Sequence, residues 1–258
     1  MPVYNGMPFL IKSVASILRQ THRNFELIIV DDASTDDSAN YIKGLKDKRV
    51  RLITNKKNLG LAESLNIAIK SAKGEFIARM DADDVSLPNR LKEQVFFLNK
   101  HPKIDLCGTW VDLIDENGKK VGEKKYPTKA SDVRKSITWY TAVIHPTFMG
   151  KKSFFKKMNG YRANYDFAED YDLLQRAKND FTIVNIPKKL LLWRHQKNRR
   201  SRENMQKMDK VELKIKIESL KRDGFSIIGM LALLRKIFFT YFLPPQIKFQ
   251  IAIILKLA

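Results

Sequence analysis

Residues 74–84 read Gly-Glu-Phe-Ile-Ala-Arg-Met-Asp-Ala-Asp-Asp. Residues 75–80 are typical of a short β-strand, and the carboxylates of Asp81, Asp83 and Asp84 follow it directly. Crowded carboxylates are unfavourable unless a cation neutralises them, and a divalent metal with a phosphate-bearing substrate on its far side fits that need. This stretch therefore predicts a strand of an α/β sheet with a metal and phosphate site at its end.

The sequence around this strand alternates strand-like and helix-like segments. Apolar runs at 25–30 and 50–53 predict strands, and helical spacing of apolar residues predicts helices at 8–20, 36–45, 61–72 and 87–100. This order is typical of a parallel sheet with helices on both faces, in which ligands bind at the carboxyl ends of the strands. Further along, we expect strands at 110–114 and 181–184 and a helix that begins at Glu169.

A second acidic pair, Asp31-Asp32, follows the strand predicted at 25–30. The alternative for either acidic cluster is a solvated loop that caps the next helix, for which Asp36 and Ser38 are suitable. Two clusters at equivalent strand ends favour a ligand site over two unrelated loops.

Composition indicates a globular protein of one domain with an appendage. The chain has 258 residues, and 44% of them are hydrophobic, which excludes a disordered chain. Its one cysteine, Cys107, excludes an internal disulfide and favours a reducing, cytoplasmic setting. Residues 1–10 lack a basic region followed by an apolar core, so we expect no secretory signal.

Positive charge is concentrated towards the end of the chain. The net charge is +20, and residues 187–258 contain 17 basic and 5 acidic residues, or +12 of that total. Such an excess indicates a polyanionic partner, either nucleic acid or an anionic membrane.

The last segments add apolar character to this charge. Residues 202–222 predict a basic amphipathic helix, and the apolar runs at 227–234 and 237–243 are too short to span a bilayer. Because Arg235-Lys236 separates these runs, we expect a segment that lies in a membrane interface; the alternative is a helical pair packed on the core.

Six motifs occur in a particular order along the chain. They are Pro2-Val3-Tyr4-Asn5, Asp31-Asp32-Ala33-Ser34-Thr35-Asp36, Asn58-Leu59-Gly60 with Asn66, Asp81-Ala82-Asp83-Asp84, His145-Pro146 and Ala168-Glu169-Asp170-Tyr171-Asp172. Their succession over residues 1–175 resembles family 2 glycosyltransferases of the GT-A fold. The resemblance implies a Rossmann-like, mostly parallel sheet flanked by helices in residues 1–200, and it leaves 201–258 as a helical, basic and apolar extension.

The resemblance also implies a role for each motif in an enzyme that uses a nucleotide-sugar donor. Tyr4 would lie against the base, Asp32 would accept from a base N–H, and Asp81 would lie near the ribose. The complete set of expected site residues comprises Pro2, Tyr4, Asp32, Asn58, Gly60, Asn66, Asp81 and Ala82 for the donor, Asp83 and His195 for Mn²⁺ or Mg²⁺, Asp170 as the catalytic base, and His145 and Glu169 on the acceptor side.

Chemistry supports these roles. A metal on Asp83 would neutralise the leaving diphosphate, and Asp170 at a helix start would be held ionised and take a proton from the acceptor hydroxyl. One base without a covalent nucleophile predicts inversion at the anomeric carbon. Simpler alternatives stay open: Tyr4 as a cap of the core, His145 as a loop residue and Asp170 as a helix cap.

From the resemblance and the charge we expect a uridine diphosphate sugar as donor and a lipid-linked surface glycan, of the lipopolysaccharide or capsule type, as acceptor. The enzyme would then be cytoplasmic and peripheral on the inner face of the cell membrane. A nucleotidyltransferase, a nucleic-acid-binding protein and a catalytically inactive membrane scaffold are the competing interpretations.

The chain departs from the family pattern at its start. Family members usually have an apolar strand before the Pro-x-Tyr-Asn element, whereas only Met1 precedes Pro2 here. Either this strand is truncated or residues 2–4 supply a short substitute. If the protein truly starts here, we expect lower stability than in a chain extended by an apolar strand.

Overall fold

A computed structural model describes residues 1–195 and 204–243 of the protein. The first half of its fold is a three-stranded parallel sheet. The strands β1 (Pro2–Val3), β2 (Leu27–Asp31) and β3 (Val50–Thr54) lie in that order. The helices α1 (Phe9–Leu18), α2 (Ser38–Lys43) and α3 (Leu61–Ser71) alternate with them. β2 is buried along its whole length, as its uninterrupted apolar run predicts.

Pro2 and Val3 form the short first strand. They pair in parallel with Val30 and Asp31, so a short substitute strand is present at the start of this sheet. The difference in stability from an extended chain stays a prediction.

The second sheet is mixed. Its strands are β4 (Phe76–Ala78), β5 (Val85–Ser86), β6 (Leu106–Ile114), β7 (Lys120–Lys124), β8 (Met149–Lys151) and β9 (Ile183–Arg194). Their order is β4-β8-β6-β9-β5, with β7 paired to β6. β6 and β9 are parallel, and the other pairs are antiparallel. The predicted fold class, an α/β fold with a parallel sheet and flanking helices, is confirmed.

β9 differs most from its predicted bounds. The prediction ends at residue 184, shortly before Pro187-Lys188-Lys189, a polar run that contains a proline. In the structure the strand continues to Arg194, and its register on β6 shifts around Trp110, opposite this run. Proline is tolerated in a strand where a bulge already interrupts the hydrogen-bond ladder. The extra length carries the chain to the carboxylate loop that follows β4.

The remaining helices of the α/β part pack on these sheets. They are α4 (Arg90–Lys100), α5 (Ala130–Ile137), α6 (Lys152–Lys157) and α7 (Glu169–Ala177), with short 3₁₀ turns at His145–Thr147 and Ala163–Tyr165. One buried apolar cluster joins Leu106 of β6 to Val133, Phe154 and Leu173 of these helices. This packing fixes α7 against the sheet.

Two helices form a hairpin at the end of the described chain. α8 (Met205–Asp223) packs through Val211 and Ile215 on a cluster that includes Tyr165 and Tyr171. α9 (Ile227–Tyr241) approaches α8 so closely that a Cβ on Gly229 would lie 2.6 Å from the Leu220 side chain. The predicted helix at 202–222 is therefore found, with its observed start at Met205.

The predicted domain boundary at 200/201 lies outside the described residues, as do residues 244–258 of the predicted extension, so the division into domains stays a prediction. Within 1–195 and 204–243, no helix combines the length and the hydropathy that crossing a membrane requires.

Candidate active site

Three carboxylates meet after β4. Asp81, Asp83 and Asp84 each place one oxygen so that these atoms lie within 4.8 Å of one another. Asp84 is fully buried, whereas Asp81 and Asp83 are partly exposed. Hard oxygen donors at this spacing suit Mg²⁺ or Mn²⁺, so the residues present fit the predicted metal. The prediction assigns the metal to Asp83, and the arrangement adds Asp81 and Asp84 as candidate ligands.

Arg194, the last residue of β9, holds this loop. Its backbone N–H donates to Asp84 Oδ1 over 2.8 Å, and its Nε donates to the carbonyl oxygen of Asp83 over 2.8 Å. Its guanidinium is buried and stacks 4.4 Å from the ring centre of Phe9. A buried arginine with this many partners fixes the conformation of the loop that carries the aspartates.

His195 is the second predicted metal ligand. Its backbone N–H donates to the carbonyl of Ile114 over 2.7 Å. The group of candidate ligands found among the described residues does not include His195. The preceding residue, Arg194, contacts the carboxylate loop, and the ligand role of His195 stays a prediction.

Arg79 is a second arginine that sequence reasoning missed. Its side chain is 5% exposed and forms an ion pair with Asp81. Within the described part of the chain, its Nε has no hydrogen-bond partner. A charged residue inside an otherwise apolar strand segment, two positions before the first aspartate, was the available signal.

The start of α7 presents the carboxyl groups of Glu169 and Asp170. Burial, the largest cause, raises the pKa of Glu169 to about 7, and repulsion from Asp170 adds to it. Burial also raises the pKa of Asp170 to about 6. The backbone N–H of Tyr171, which donates to Asp170 Oδ1 over 2.7 Å, lowers this pKa but does not offset burial. The expected effect of the helix start on Asp170 is therefore outweighed by burial, and the pKa moves upward. Glu169 Oε2 is buried and has no hydrogen-bond partner in the described structure.

Arg79 connects the two acidic groups electrostatically. Its guanidinium pairs with Asp81, and its charge lowers the pKa of both Glu169 and Asp170, opposing burial. Burial raises the pKa of the Tyr161 hydroxyl, and the charge of Arg79 opposes this rise as well. The carboxylates of Asp170, Glu169 and Asp81 each raise that pKa further, so all four charges act on one hydroxyl. The two carboxyl groups of α7 and Asp81 of the carboxylate loop therefore lie within electrostatic range of the same hydroxyl.

His145 is buried beside Tyr161. Its Nε2 is 2.9 Å from the hydroxyl of Tyr161, and its ring contacts Phe148 edge-on at 4.9 Å between ring centres. Burial, followed by the charge of Arg79, places the pKa of His145 well below its usual value, so the imidazole is neutral. This buried position favours the structural alternative over a contact with the acceptor.

Asp32 holds the loop that leads into α3. It accepts hydrogen bonds from Asn55 Nδ2 at 2.7 Å and from the backbone N–H groups of Leu59 and Gly60 at 2.8 Å. Asn58 Oδ1 also accepts from Gly60, whose positive φ of 87° suits glycine. Three protein donors thus already engage the Asp32 carboxylate, and its contact with a base N–H stays a prediction.

The other residues predicted to bind the nucleotide-sugar donor differ in their exposure and contacts. Tyr4 is 52% exposed at the end of β1, which argues against its role as a cap of the core. Pro2 is buried within β1, and Ala82 is a partly buried member of the neighbouring apolar cluster. Asn66 uses its whole amide on Tyr161: Nδ2 donates to the Tyr161 carbonyl and Oδ1 accepts from the Tyr161 N–H, both at 2.8 Å. Asn66 therefore positions Tyr161, and the geometry does not support a direct contact with the donor.

Comparison with known proteins gives a consistent result. The sequence model described as Glycosyl transferase family 2 matches residues 1–162. The O-antigen biosynthesis glycosyltransferase WbnJ of Escherichia coli is 38% identical over 186 residues, covering 70% of this chain and 70% of that protein.

Two solved structures share the fold. One is TarS 1–349 of S. aureus in complex with UDP-GlcNAc, at 21% identity and a TM-score of 0.72, covering 93% of this chain and 71% of that one. The other is the mannosyltransferase PcManGT of Pyrobaculum calidifontis with GDP-Man and Mn²⁺, at 18% identity and a TM-score of 0.64, covering 93% and 68%.

Proposed function

This chain belongs to glycosyltransferase family 2, and from that premise we propose that it transfers a sugar from a nucleotide diphosphate to a hydroxyl of a glycan acceptor, with inversion at the anomeric carbon. The nucleotidyltransferase and nucleic-acid-binding alternatives gain no support from the family match or from the site.

One observation carries this proposal. Arg79 forms an ion pair with Asp81 of the carboxylate loop, its charge also acts on the Glu169 and Asp170 carboxyl groups, and two buried polar atoms of this group, Arg79 Nε and Glu169 Oε2, have no hydrogen-bond partner in the described structure. Buried donors and acceptors in proteins are nearly always satisfied. A ligand that both accepts and donates hydrogen bonds, as the hydroxyl groups of a sugar do, complements this pair.

The aspartates would hold the metal on the leaving-group side. A bound Mg²⁺ or Mn²⁺ supplies positive charge that stabilises a departing diphosphate. Asp81, Asp83 and Asp84 would supply its protein ligands, and Arg194 would keep their loop in place. Arg79 adds a fixed positive charge beside Asp81.

Asp170 would act as the base on the acceptor side. The acceptor oxygen forms its bond to the anomeric carbon while the bond from that carbon to the diphosphate oxygen breaks, and the diphosphate leaves with the electron pair. The acceptor proton passes to the Asp170 carboxylate. With its pKa raised to about 6, Asp170 is ionised at neutral pH yet binds a proton more readily than an ordinary aspartate.

For the donor we propose a uridine diphosphate sugar. TarS, which shares the fold, is known in complex with UDP-GlcNAc, and PcManGT with GDP-Man and Mn²⁺. The exposed ring of Tyr4 offers a surface for a base.

For the acceptor we propose a lipid-linked surface glycan, presented at the inner face of the cell membrane. The similarity to an O-antigen biosynthesis enzyme and the +12 charge of residues 187–258 support this choice.

Protection from thermal unfolding tests the donor and the metal together. The melting temperature would be measured with a panel of uridine, guanosine and thymidine diphosphate sugars, with Mn²⁺ or with a chelator. A ligand at one hundred times its Kd stabilises by about 2.7 kcal/mol, which corresponds to a rise of several degrees. We expect this rise for a uridine diphosphate sugar with Mn²⁺ only, while Asp83→Asn should lose the dependence on Mn²⁺. Absence of protection by every donor in the presence of metal would refute the proposed function.

A further inference from the structure

The outward face of α9 is apolar along the helix. Six large side chains that are 52% to 74% exposed, here called the apolar stripe, lie on it: Ile227, Ile228, Leu231, Leu234, Phe238 and Tyr241. Apart from the adjacent Ile227 and Ile228, they follow one another at three or four residues, which places them on one side of the helix. Soluble monomers rarely expose an apolar patch of this extent, which indicates that this face meets a partner.

The basic residues of α9 are not on this face. Lys236 Nζ donates to Asp209 Oδ1 at 2.8 Å and to Glu212 Oε2 at 2.6 Å, both on α8. Arg235 donates to the carbonyl of Trp139 at 3.0 Å and stacks over its ring at 5.2 Å. Arg235 and Lys236 therefore attach α9 to the rest of the protein, and any charge that meets a partner must come from elsewhere.

α8 supplies that positive charge. Lys207, Lys210, Lys214 and Lys221, here called the lysine row, are exposed and follow one another at helical spacing. They belong to the segment in which +12 of the net charge lies. An anionic partner for this helix follows from that charge.

We propose that the apolar stripe and the lysine row dock the α8–α9 hairpin on an anionic lipid bilayer. Two copies of this chain would each carry a net charge of +20, and their mutual repulsion disfavours a homodimer there. The 15 residues of α9 extend about 22 Å, less than the roughly 30 Å of a bilayer core, so the helix lies in the plane of the interface.

The hairpin is firmly attached to the helix that carries Asp170. Lys216 Nζ of α8 donates to the hydroxyl of Tyr171 at 2.6 Å and to the carbonyl of Thr138 at 2.7 Å. Ile215 packs in the same buried cluster as Tyr171. The surface that docks on the bilayer therefore belongs to a hairpin that packs on α7. This attachment suits a lipid-linked acceptor, and that last step rests on the proposed function.

Vesicle flotation of the full chain tests the docking. Vesicles of phosphatidylglycerol and phosphatidylcholine in equal parts would be compared with phosphatidylcholine alone, without any donor. Each lysine near an anionic surface strengthens binding roughly fivefold, so Lys207→Gln, Lys210→Gln and Lys221→Gln together should weaken it on the order of a hundredfold. Lys43→Gln, Lys46→Gln and Lys48→Gln remove the same charge from exposed positions elsewhere and are the matched control.

The apolar stripe has its own variant. Leu231→Gln with Phe238→Gln keeps good helix formers and should weaken vesicle binding at least about tenfold. Phe96→Gln, at a position 64% exposed on α4, is its control and should bind as the wild type does.

The proposal would be overturned by no binding of the wild type to anionic vesicles, by equal binding of the stripe variant, or by a wild-type dimer that the stripe variant dissociates. Loss of folding in the stripe variant without vesicles would also count against it, because another part of the chain would then cover the stripe. Donor protection, measured on the same preparations, reports on donor binding and hence on the proposed function separately, so each proposal fails on its own measurement.

Discussion

Replacing Glu169 by Gln should make the protein more stable at high pH. Burial raises the pKa of Glu169 from 4.5 to about 7, so the folded state holds this proton more tightly than the unfolded state does. The difference between these two pKa values corresponds to about 3 kcal/mol of unfolding free energy. Asp170 and Asp166 add repulsion to the effect of burial, and the charge of Arg79 opposes it.

The sign follows from proton binding. Between about pH 4.5 and pH 7 the folded state binds more protons at Glu169, so its stability falls as the pH rises, and the loss is complete above pH 7. Glu169→Gln carries no ionisable group and should escape this loss. We expect it to match the wild type at pH 4.5 and to melt about 6 to 12 °C higher at pH 8.

Thermal melts followed by circular dichroism, with a chelator present, would measure the difference. Glu26→Gln is a control of opposite sign: burial raises the pKa of Glu26, but the Lys73 N–H and the Arg51 guanidinium at 2.9 Å outweigh it and lower that pKa. This control should lose stability at pH 8 relative to the wild type. If Glu169→Gln also lost stability at pH 8, Glu169 would be an ionised, paired carboxylate and the reasoning from burial would be refuted.

Three further predictions concern the site. Asp170→Asn should reduce transfer by roughly 10²- to 10⁴-fold in steady-state rates while donor affinity by calorimetry stays within about twofold, and a loss of donor affinity would contradict its role as base. Asp83→Asn should weaken Mn²⁺ binding in calorimetry by more than roughly ten- to hundredfold, which is the loss typical of replacing a residue that only contacts a metal ligand. Unchanged Mn²⁺ affinity would exclude Asp83 as a ligand. Asn66→Ala leaves the backbone of Tyr161 unpaired and should cost about 1 to 3 kcal/mol of unfolding free energy with little change in donor affinity, whereas the reverse result would restore Asn66 as a donor contact.

The sequence predicts those features that depend on local pattern. The apolar run of β2 and the carboxylates after β4 follow from neighbouring residues alone, and the structure places them as expected. The order of motifs, which reflects a shared fold, predicts that Glu169 and Asp170 act together with the carboxylate loop. The charges of Glu169, Asp170 and Asp81 indeed act on the same Tyr161 hydroxyl.

What the sequence does not predict depends on contacts between distant residues. Arg194 resembles an ordinary surface arginine in the sequence, and the apolar neighbours of Arg79 do not show what its charge contacts, because the burial of both side chains arises only when the strands assemble. The donors that engage Asp32 come from a loop whose conformation depends on Gly60. The upward pKa shift of Asp170 has the same origin, since burial is a property of the assembled site.

The contact between Asp84 and Arg194 also has a consequence for protein synthesis. These residues are 110 positions apart, and Arg194 closes the loop that carries the aspartates. Chains grow from their N-terminus at roughly 5 to 20 residues per second, so the nascent chain displays its three aspartates for several seconds before the clamping residue is made. During that interval the loop has the contact of Asp81 with Ser13 but lacks those with Arg194. The nascent enzyme therefore completes its carboxylate loop late, only after the ribosome has reached the end of β9.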